Sequence, residues 1–241
     1  MKDGAVGFFQ VLFTLFMYLL AALIIGLSIF PGVALCVYLW KISAGFALLS
    51  RVLLLCLSFA SAYFIYGFCV IFITGFVRIL CGLTLSEGEY PLASRGALKW
   101  LLTNALVQLV SNTFMDFMIL TPFITLYFRL MGAKVGKNVQ INSKRCADLS
   151  LLELADGAVI GGHATVIGHS FERGRLILKK VKIGKHAVIG LNAVILPGCQ
   201  IGDGAIIAAG AVLQKNTIVA PRNVYFGVPA RSVKDRHKEK V

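Results

Sequence analysis

Four histidines and eleven acidic residues are the groups in this chain that could take up or release a proton near neutral pH. His169 is singled out by its position. It stands at the root of residues 170–181, where an otherwise regular six-residue rhythm stops. Neutral imidazole can accept a proton from a hydroxyl or an amine near pH 7, so His169 is a candidate general base. The plainer alternative is a histidine that merely caps a corner. Glu172, three residues on, could orient the ring and stabilise the imidazolium. Equally, it could pair with Arg173 or Arg175 and order the segment. His163 follows Gly161-Gly162, His186 lies beyond the break, and both read as outward turn residues on solvated surface. His237 lies in the charged stretch 234–240 and receives no role. Asp148 and Glu153 lie where the rhythm is weak, and only proximity speaks for either.

The cysteines add no chemistry. Cys36, Cys56, Cys69 and Cys81 lie in or beside apolar segments, where a thiol packs as a small hydrophobe. Cys146 and Cys199 are isolated, no C-x-x-C pair occurs, and no spacing suggests zinc.

The rhythm itself tells what must position His169. An aliphatic residue recurs at Ile183, Ile189, Ile195, Ile201, Ile207 and Leu213, and four positions after each comes Ala187, Ala193, Cys199, Ala205, Ala211 or Thr217. Leu154, Ile160 and Val166, with Ala158, Ala164 and Ser170, continue it upstream, and Val135 and Ile141 begin it. A period of six is neither helix nor plain strand; it predicts a solenoid of short flat faces, three to a coil. The aliphatic residue fills the axis and the small one allows the corner. Residues 183–200 and 201–218 are then two complete coils, and the break at 170–181 is a loop on one side, where function tends to collect.

The other half of the chain is different. Apolar residues make up 58% of the whole and charged residues 15%, a balance that implies lipid contact. The net charge is +13, of which residues 132–241 hold +10 and residues 1–131 hold +3. Residues 4–40 and 52–77 contain no charge at all. The second run has the length of one span. The first is longer and contains Pro31-Gly32, so it is either a span with a re-entrant piece or one long helix kinked at Pro31. Met1-Lys2-Asp3 precedes an apolar stretch too long for a signal core and without a small-residue cleavage pattern, so a retained anchor is expected. Two spans and the positive-inside rule send the basic half to the cytoplasm, although Lys41 and Arg51 pull the other way. In residues 97–131, Lys99, Asn104, Gln108, Asn112 and Asp116 form a polar stripe, which suggests an amphipathic helix in the membrane interface or a third span with its polar face turned inward. The expected organisation is transmembrane helices over 1–96, an interfacial helical segment over 97–131, the repeat domain over 132–233 and a charged tail over 234–241. A basic domain beside a bilayer suits anionic headgroups or a polyphosphate cofactor; the charge is too dispersed for nucleic acid.

The repeat stretch, with its ending Gly227-Val228-Pro229-Ala230-Arg231 and the segment 208–215, resembles the hexapeptide-repeat acyltransferases, which include sugar and antibiotic acetyltransferases. More narrowly, Thr121-Pro122, Tyr127, Arg129-Leu130-Met131-Gly132-Ala133 and His169-Ser170-Phe171-Glu172-Arg173 are similar to the membrane-embedded terminal region of poly-lysine-synthetase-type peptide synthetases, over residues 97–231. The adenylation and carrier domains of those synthetases have no counterpart in this sequence, so their donor-supplying machinery does not carry over. The resemblance implies an α-helical membrane region followed by an all-β, left-handed parallel β-helix. It also implies transfer of an acyl group from acyl-CoA, acetyl-CoA or an acyl carrier protein to a hydroxyl or amine. A catalytic histidine in that family precedes a loop leading into a K-I-G unit, here Lys182-Ile183-Gly184, which points to His169. Gly190, Ala208 and Ala209 would form the pantetheine wall, and Lys215, Arg222 and Arg231 would meet its phosphates, unless these three are ordinary surface charge. A homotrimer is implied, and a membrane anchor favours a lipid-linked or membrane-surface acceptor in contact with membrane lipids. Two other readings remain: a metal-dependent hydratase like the γ-type carbonic anhydrases, using His163, His169 and His186 at a spacing that fits poorly, and a non-catalytic trimeric membrane scaffold.

Overall fold

Both charge-free runs are helical throughout. In the computed structural model, which describes residues 2–233, helix α1 (Lys2–Ile42) is continuous through Pro31, and α2 (Leu48–Leu80) follows after a short turn. This resolves the first run in favour of a single long helix. Within the pair, the two helices approach closely where Gly32 faces Ala62; a Cβ at position 32 would lie 2.8 Å from the Ala62 Cβ. Small residues of this kind let helix backbones meet in apolar surroundings. At the turn between the helices the Arg51 guanidinium sits 4.0 Å over the Trp40 ring. By length and composition, residues 11–42 and 48–80 could each cross a membrane.

The chain divides into two compact units, with the second beginning at Arg78. That boundary lies upstream of the expected one after residue 96. Residues 78–131 therefore belong with the repeat, and the proposed tail 234–241, including His237, lies outside the described residues.

The repeat builds a three-faced parallel β-helix. One face stacks Gln140–Ile141, Val159–Ile160, Val188–Ile189, Ile206–Ile207 and Val224–Phe226; the second stacks Thr165–Val166, Val194–Ile195 and Val212–Leu213. The third stacks Lys134–Val135, Leu152–Leu154, Val181–Ile183, Gln200–Ile201 and Ile218–Val219. Val188 pairs with Ile206, eighteen residues on, which fixes three six-residue units to a coil. The first coil is looser: Lys134 pairs with Glu153 at a separation of nineteen, which is why the rhythm blurs there. Ile160, Val166, Ile189, Ile195, Ile207 and Leu213 are fully buried along the axis, and Ala187, Ala193, Cys199, Ala205 and Ala211 are buried at the corners. Coils stack so tightly that a Cβ at Gly190 would come within 2.5 Å of the Ala209 backbone nitrogen.

Three helices lead into the first coil. Helix α3 (Arg95–Thr113) starts at Ser94, whose side chain accepts from the Ala97 N–H; α4 (Met115–Met118) is a single turn. Helix α5 (Pro122–Leu130) starts at Thr121, with Pro122 where a missing N–H costs nothing. Tyr127, Phe128 and Met131 are fully buried where α5 meets the first coil, and the Leu120 N–H donates to the Ile141 carbonyl at 3.0 Å. The polar stripe expected on α3 is not uniform. Lys99, Gln108 and Asn112 are exposed, whereas Asn104 is half-buried and hydrogen-bonded inward.

Core packing along the axis sets the stability of the solenoid. Ile195→Ala should cost about 2–5 kcal/mol, through lost burial and the cavity left behind. Lys185→Ala, at an exposed corner, should change stability by no more than about 0.5 kcal/mol. Thermal unfolding of the two variants beside the parent protein checks both values.

Candidate active site

The break in the rhythm is a β-hairpin. Strands His169–Glu172 and Arg175–Leu178 pair antiparallel, with His169 opposite Leu178 and Glu172 opposite Arg175. Arg173 and Gly174 turn the chain at φ +47° and +73°, the two left-handed positions of a tight hairpin turn, of which Gly174 takes its own without strain. Upstream of α3, Gly88–Pro91 adds a third strand, with Gly88 opposite Leu178. Val188 is twenty-nine residues beyond its lower partner Val159, so the hairpin inserts into one coil without disturbing the stack. Leu176 and Leu178 pack with Leu85, Ala97 and Leu151, and Tyr90 and Trp100 close over this cluster.

Side chains alternate along a strand, and directly paired residues share a face. His169 and Phe171 therefore share the side of Leu178 and Leu176, toward α3. Ser170 and Glu172 point the other way.

His169 meets its carboxylate partner there. Its Nδ1 lies 2.6 Å from Asp148 Oδ2, and Asp148 is fully buried. The same oxygen accepts the Gly168 N–H at 2.9 Å. Asp148 Oδ1 accepts the Trp100 indole N–H at 2.7 Å and the Asn104 amide at 3.0 Å. Indole, amide and backbone N–H can only donate, so the carboxylate is the acceptor in those three contacts, and a carboxylate so met assigns the proton shared with the ring to His169 Nδ1. In the neutral ring Nε2 then carries the lone pair. The ring is 23% exposed, enough to be reached. Trp100 stands edge-on to it with centroids 5.0 Å apart, and Phe171 edge-on at 5.9 Å; the aromatic side of the site is closed by Trp100 against Phe171 at 5.4 Å.

Glu172 has other partners. Its Oε1 accepts from Lys215 Nζ at 2.5 Å and from Ser170 Oγ at 3.0 Å, which ties the hairpin to the last complete coil. Those two donors, Lys215 foremost, hold the Glu172 carboxyl below the ordinary carboxylate range. It does not pair with Arg173 or bond His169 in the described contacts; Arg175 instead faces Glu89 at 3.4 Å. The carboxylate behind His169 is Asp148. The sequence signal for it is faint: an acidic residue twenty-one residues before the histidine, in the first coil, where the six-residue spacing is irregular.

The remaining residues sort by corner. Gly190 packs directly on Ala208 and Ala209 of the next coil, so the expected wall residues do adjoin. Lys215 lies at the corner from which the hairpin springs, Arg222 at the next corner with φ +53°, and Arg231 on the return strand paired with Phe226. Within one subunit these three cations are not gathered at one point. His163, His169 and His186 likewise occupy three different corners, and His163 and His186 take left-handed turn conformations at φ +55° and +53°. Among the described residues, no group of three or more His, Cys, Asp or Glu side chains could hold a metal ion. Burial pushes the Cys146 thiol up to about 12 and raises that of Cys199, so neither supplies a thiolate at neutral pH.

Residues 180–215 match the family described as Bacterial transferase hexapeptide (six repeats). The matched residues lie within the three-faced parallel β-helix, whose strand stacks fit the left-handed coil of hexapeptide-repeat transferases. Among curated proteins, Delta-poly-L-ornithine synthetase of Acinetobacter baumannii (strain AB307-0294) is 24% identical over 162 residues, or 65% of this chain. This chain spans only 12% of that synthetase's length. Among solved structures, a maltose O-acetyltransferase from Clostridium difficile 630 is 23% identical with a TM-score of 0.47, covering 62% of this chain and 92% of that one. A galactoside acetyltransferase in complex with coenzyme A is 19% identical with a TM-score of 0.45, covering 63% and 90%.

The Glu172–Lys215 tie has a pH signature. A carboxyl whose folded value is depressed contributes its tie above the unfolded value and loses it as pH falls through the folded one. Acidification below the ordinary carboxylate range should therefore lower protection against hydrogen exchange in residues 171–175, each rate being taken relative to the intrinsic rate at that pH. In Glu172→Gln, protection there should already be lower at neutral pH and respond less to acid. Exchange measured by mass spectrometry across that range checks both.

Proposed function

We propose that this chain is a membrane-bound acyltransferase with His169 as its general base. The observation that carries this reading is the buried Asp148 carboxylate 2.6 Å from His169 Nδ1, which leaves Nε2 free to take a proton. A hydroxyl or amine of the acceptor would attack the thioester carbonyl of an acyl-pantetheine, with acyl-CoA as the donor or an acyl carrier protein in its place. The acceptor proton passes to Nε2 as the new C–O or C–N bond forms. Collapse of the tetrahedral adduct then breaks the C–S bond, and Nε2 returns the proton to the leaving thiolate. Asp148 stays ionised and stabilises the imidazolium between the two transfers. The family match supports the thioester donor, and the close contact of Gly190 with Ala208 and Ala209 supports a shallow wall along which pantetheine could lie. Lys215, Arg222 and Arg231 are the cations we assign to its phosphates, and Glu172 sets the position of Lys215.

Two features extend the reading. The apolar helices α1 and α2 leave Leu19, Phe30, Tyr38 and Leu49 largely exposed, a surface that suits lipid better than water. We assign an integral membrane location with the basic unit on the cytoplasmic side, and a lipid-linked or membrane-surface acceptor. One outer face of the β-helix carries Val159, Val188, Ile206 and Val224 in a vertical ladder, with Ile206 and Val224 exposed. Such a face supports association into a homotrimer.

The test uses the full chain in lipid nanodiscs with radiolabelled acetyl-CoA and a total membrane lipid extract as the acceptor source. Label should move to the extract with the parent protein, and His169→Ala should abolish transfer. Asp148→Asn, which favours the wrong tautomer, should lower kcat by about 10²–10⁴. Transfer by His169→Ala at the parental rate would remove the base from the mechanism and the proposal with it.

A further inference from the structure

The proposed base is only as well placed as the carboxylate behind it, and that carboxylate is held from outside the β-helix. We propose that Trp100 and Asn104 are positioning residues for His169, so that α3 is part of the reaction centre and more than a connection between apolar helices and coils. The proposal rests on the reading of His169 as general base.

Four donors converge on the Asp148 carboxylate. Two of them reach Oδ2, from Gly168 and His169, and both belong to the hairpin root. The two on Oδ1 are Trp100 and Asn104, four residues apart on α3 and so on one face of it. A carboxylate can rotate about its terminal bond; pinning Oδ1 at two points aims Oδ2 at the imidazole. Asn104 does more, because its Oδ1 accepts the Asp148 backbone N–H at 3.3 Å while its amide also donates to the Trp100 carbonyl at 3.0 Å. Asp148 is thus gripped at backbone and side chain in a left-handed conformation, φ +55°, which aspartate tolerates better than most non-glycine residues. Trp100 acts twice as well. Its N–H fixes the carboxylate, and its ring, edge-on to the imidazole at 62°, blocks the swing that would carry Nδ1 away from Asp148.

The rest of α3 supplies the contrast. Gln108 and Asn112, on the exposed side, bond each other and do not reach the site. Polar residues on this helix therefore divide between those that serve the surface and the pair that serves the base.

The experiment uses the full chain in nanodiscs, labelled with 15N-histidine; four histidines keep the imidazole spectrum sparse. A downfield Nδ1–H proton, assigned to His169 by its loss in His169→Ala, reports the bond to Asp148. Trp100→Phe keeps a ring and removes the N–H; Asn104→Leu removes the second donor. Each should shift that resonance and lower kcat for label transfer from acetyl-CoA to the lipid extract by about ten- to a hundredfold, with KM for acetyl-CoA within about twofold of the parent. Gln108→Ala should change neither. Should Trp100→Phe not fold, benzothienylalanine at position 100, with sulfur in place of the N–H, makes the same test without altering shape. An unmoved resonance and full kcat in both variants would overturn the proposal while leaving His169 as base. Full transfer by His169→Ala would instead sink the reading beneath it, and the resonance alone would still show whether Trp100 and Asn104 set the ring.

Discussion

A carboxylate taken fully out of water costs several kcal/mol unless its lone pairs are met, and Asp148 is where this protein meets that cost. Four N–H donors converge on it from α3 and from the root of the hairpin. If any of these elements is displaced, a buried charge loses a partner. The first coil, which carries Asp148, α3 and the hairpin are therefore mutually fixed by one side chain. The position of His169 follows from this. Its orientation is a by-product of satisfying a buried acid, which is why its geometry is tight although the ring remains reachable.

The solenoid contributes something different: a rigid rail with repeated corners. Eighteen residues per coil place each six-residue unit above its predecessor, so a chain position decides which edge of the prism a residue occupies. The three histidines of the described β-helix fall on three edges, and only His169 has a carboxylate behind it. The insertion enters at one corner and leaves at the same corner, so it adds a sheet to the side of the rail without breaking the ladders above and below. Its two faces are chemically unlike. The inner face is apolar and aromatic and carries His169; the outer carries Ser170 and Glu172 and reaches Lys215.

Residues 78–131 connect these parts. They supply the strand Gly88–Pro91 that extends the hairpin sheet, the helix that holds Asp148, and the aromatic cap at α5. In amino-acid type they resemble the apolar run before them, which is why a boundary drawn on composition falls later than the one drawn by contacts. Their apolar residues serve a core, with Ile124, Tyr127 and Phe128 fully buried.

Much of this fold was legible from residue order alone. A period of six with aliphatic and small residues in fixed places admits few structures, and the axis and corner residues read from it are buried except Val135 and Thr217, which are half-buried, and Ser170, which lies in the hairpin instead of at a corner. Charge-free runs likewise specify long apolar helices, and the failure of the period at 170–181 marks the hairpin that bears His169. The partner of His169 was not legible. Glu172 is three residues away but on the opposite face of a strand, since alternate side chains point apart. Asp148 is twenty-one residues away, and Trp100 and Asn104 lie on a separate helix. No local pattern links them, because what brings them together is the burial of one charge, and only the folded chain decides which donors a buried charge will find.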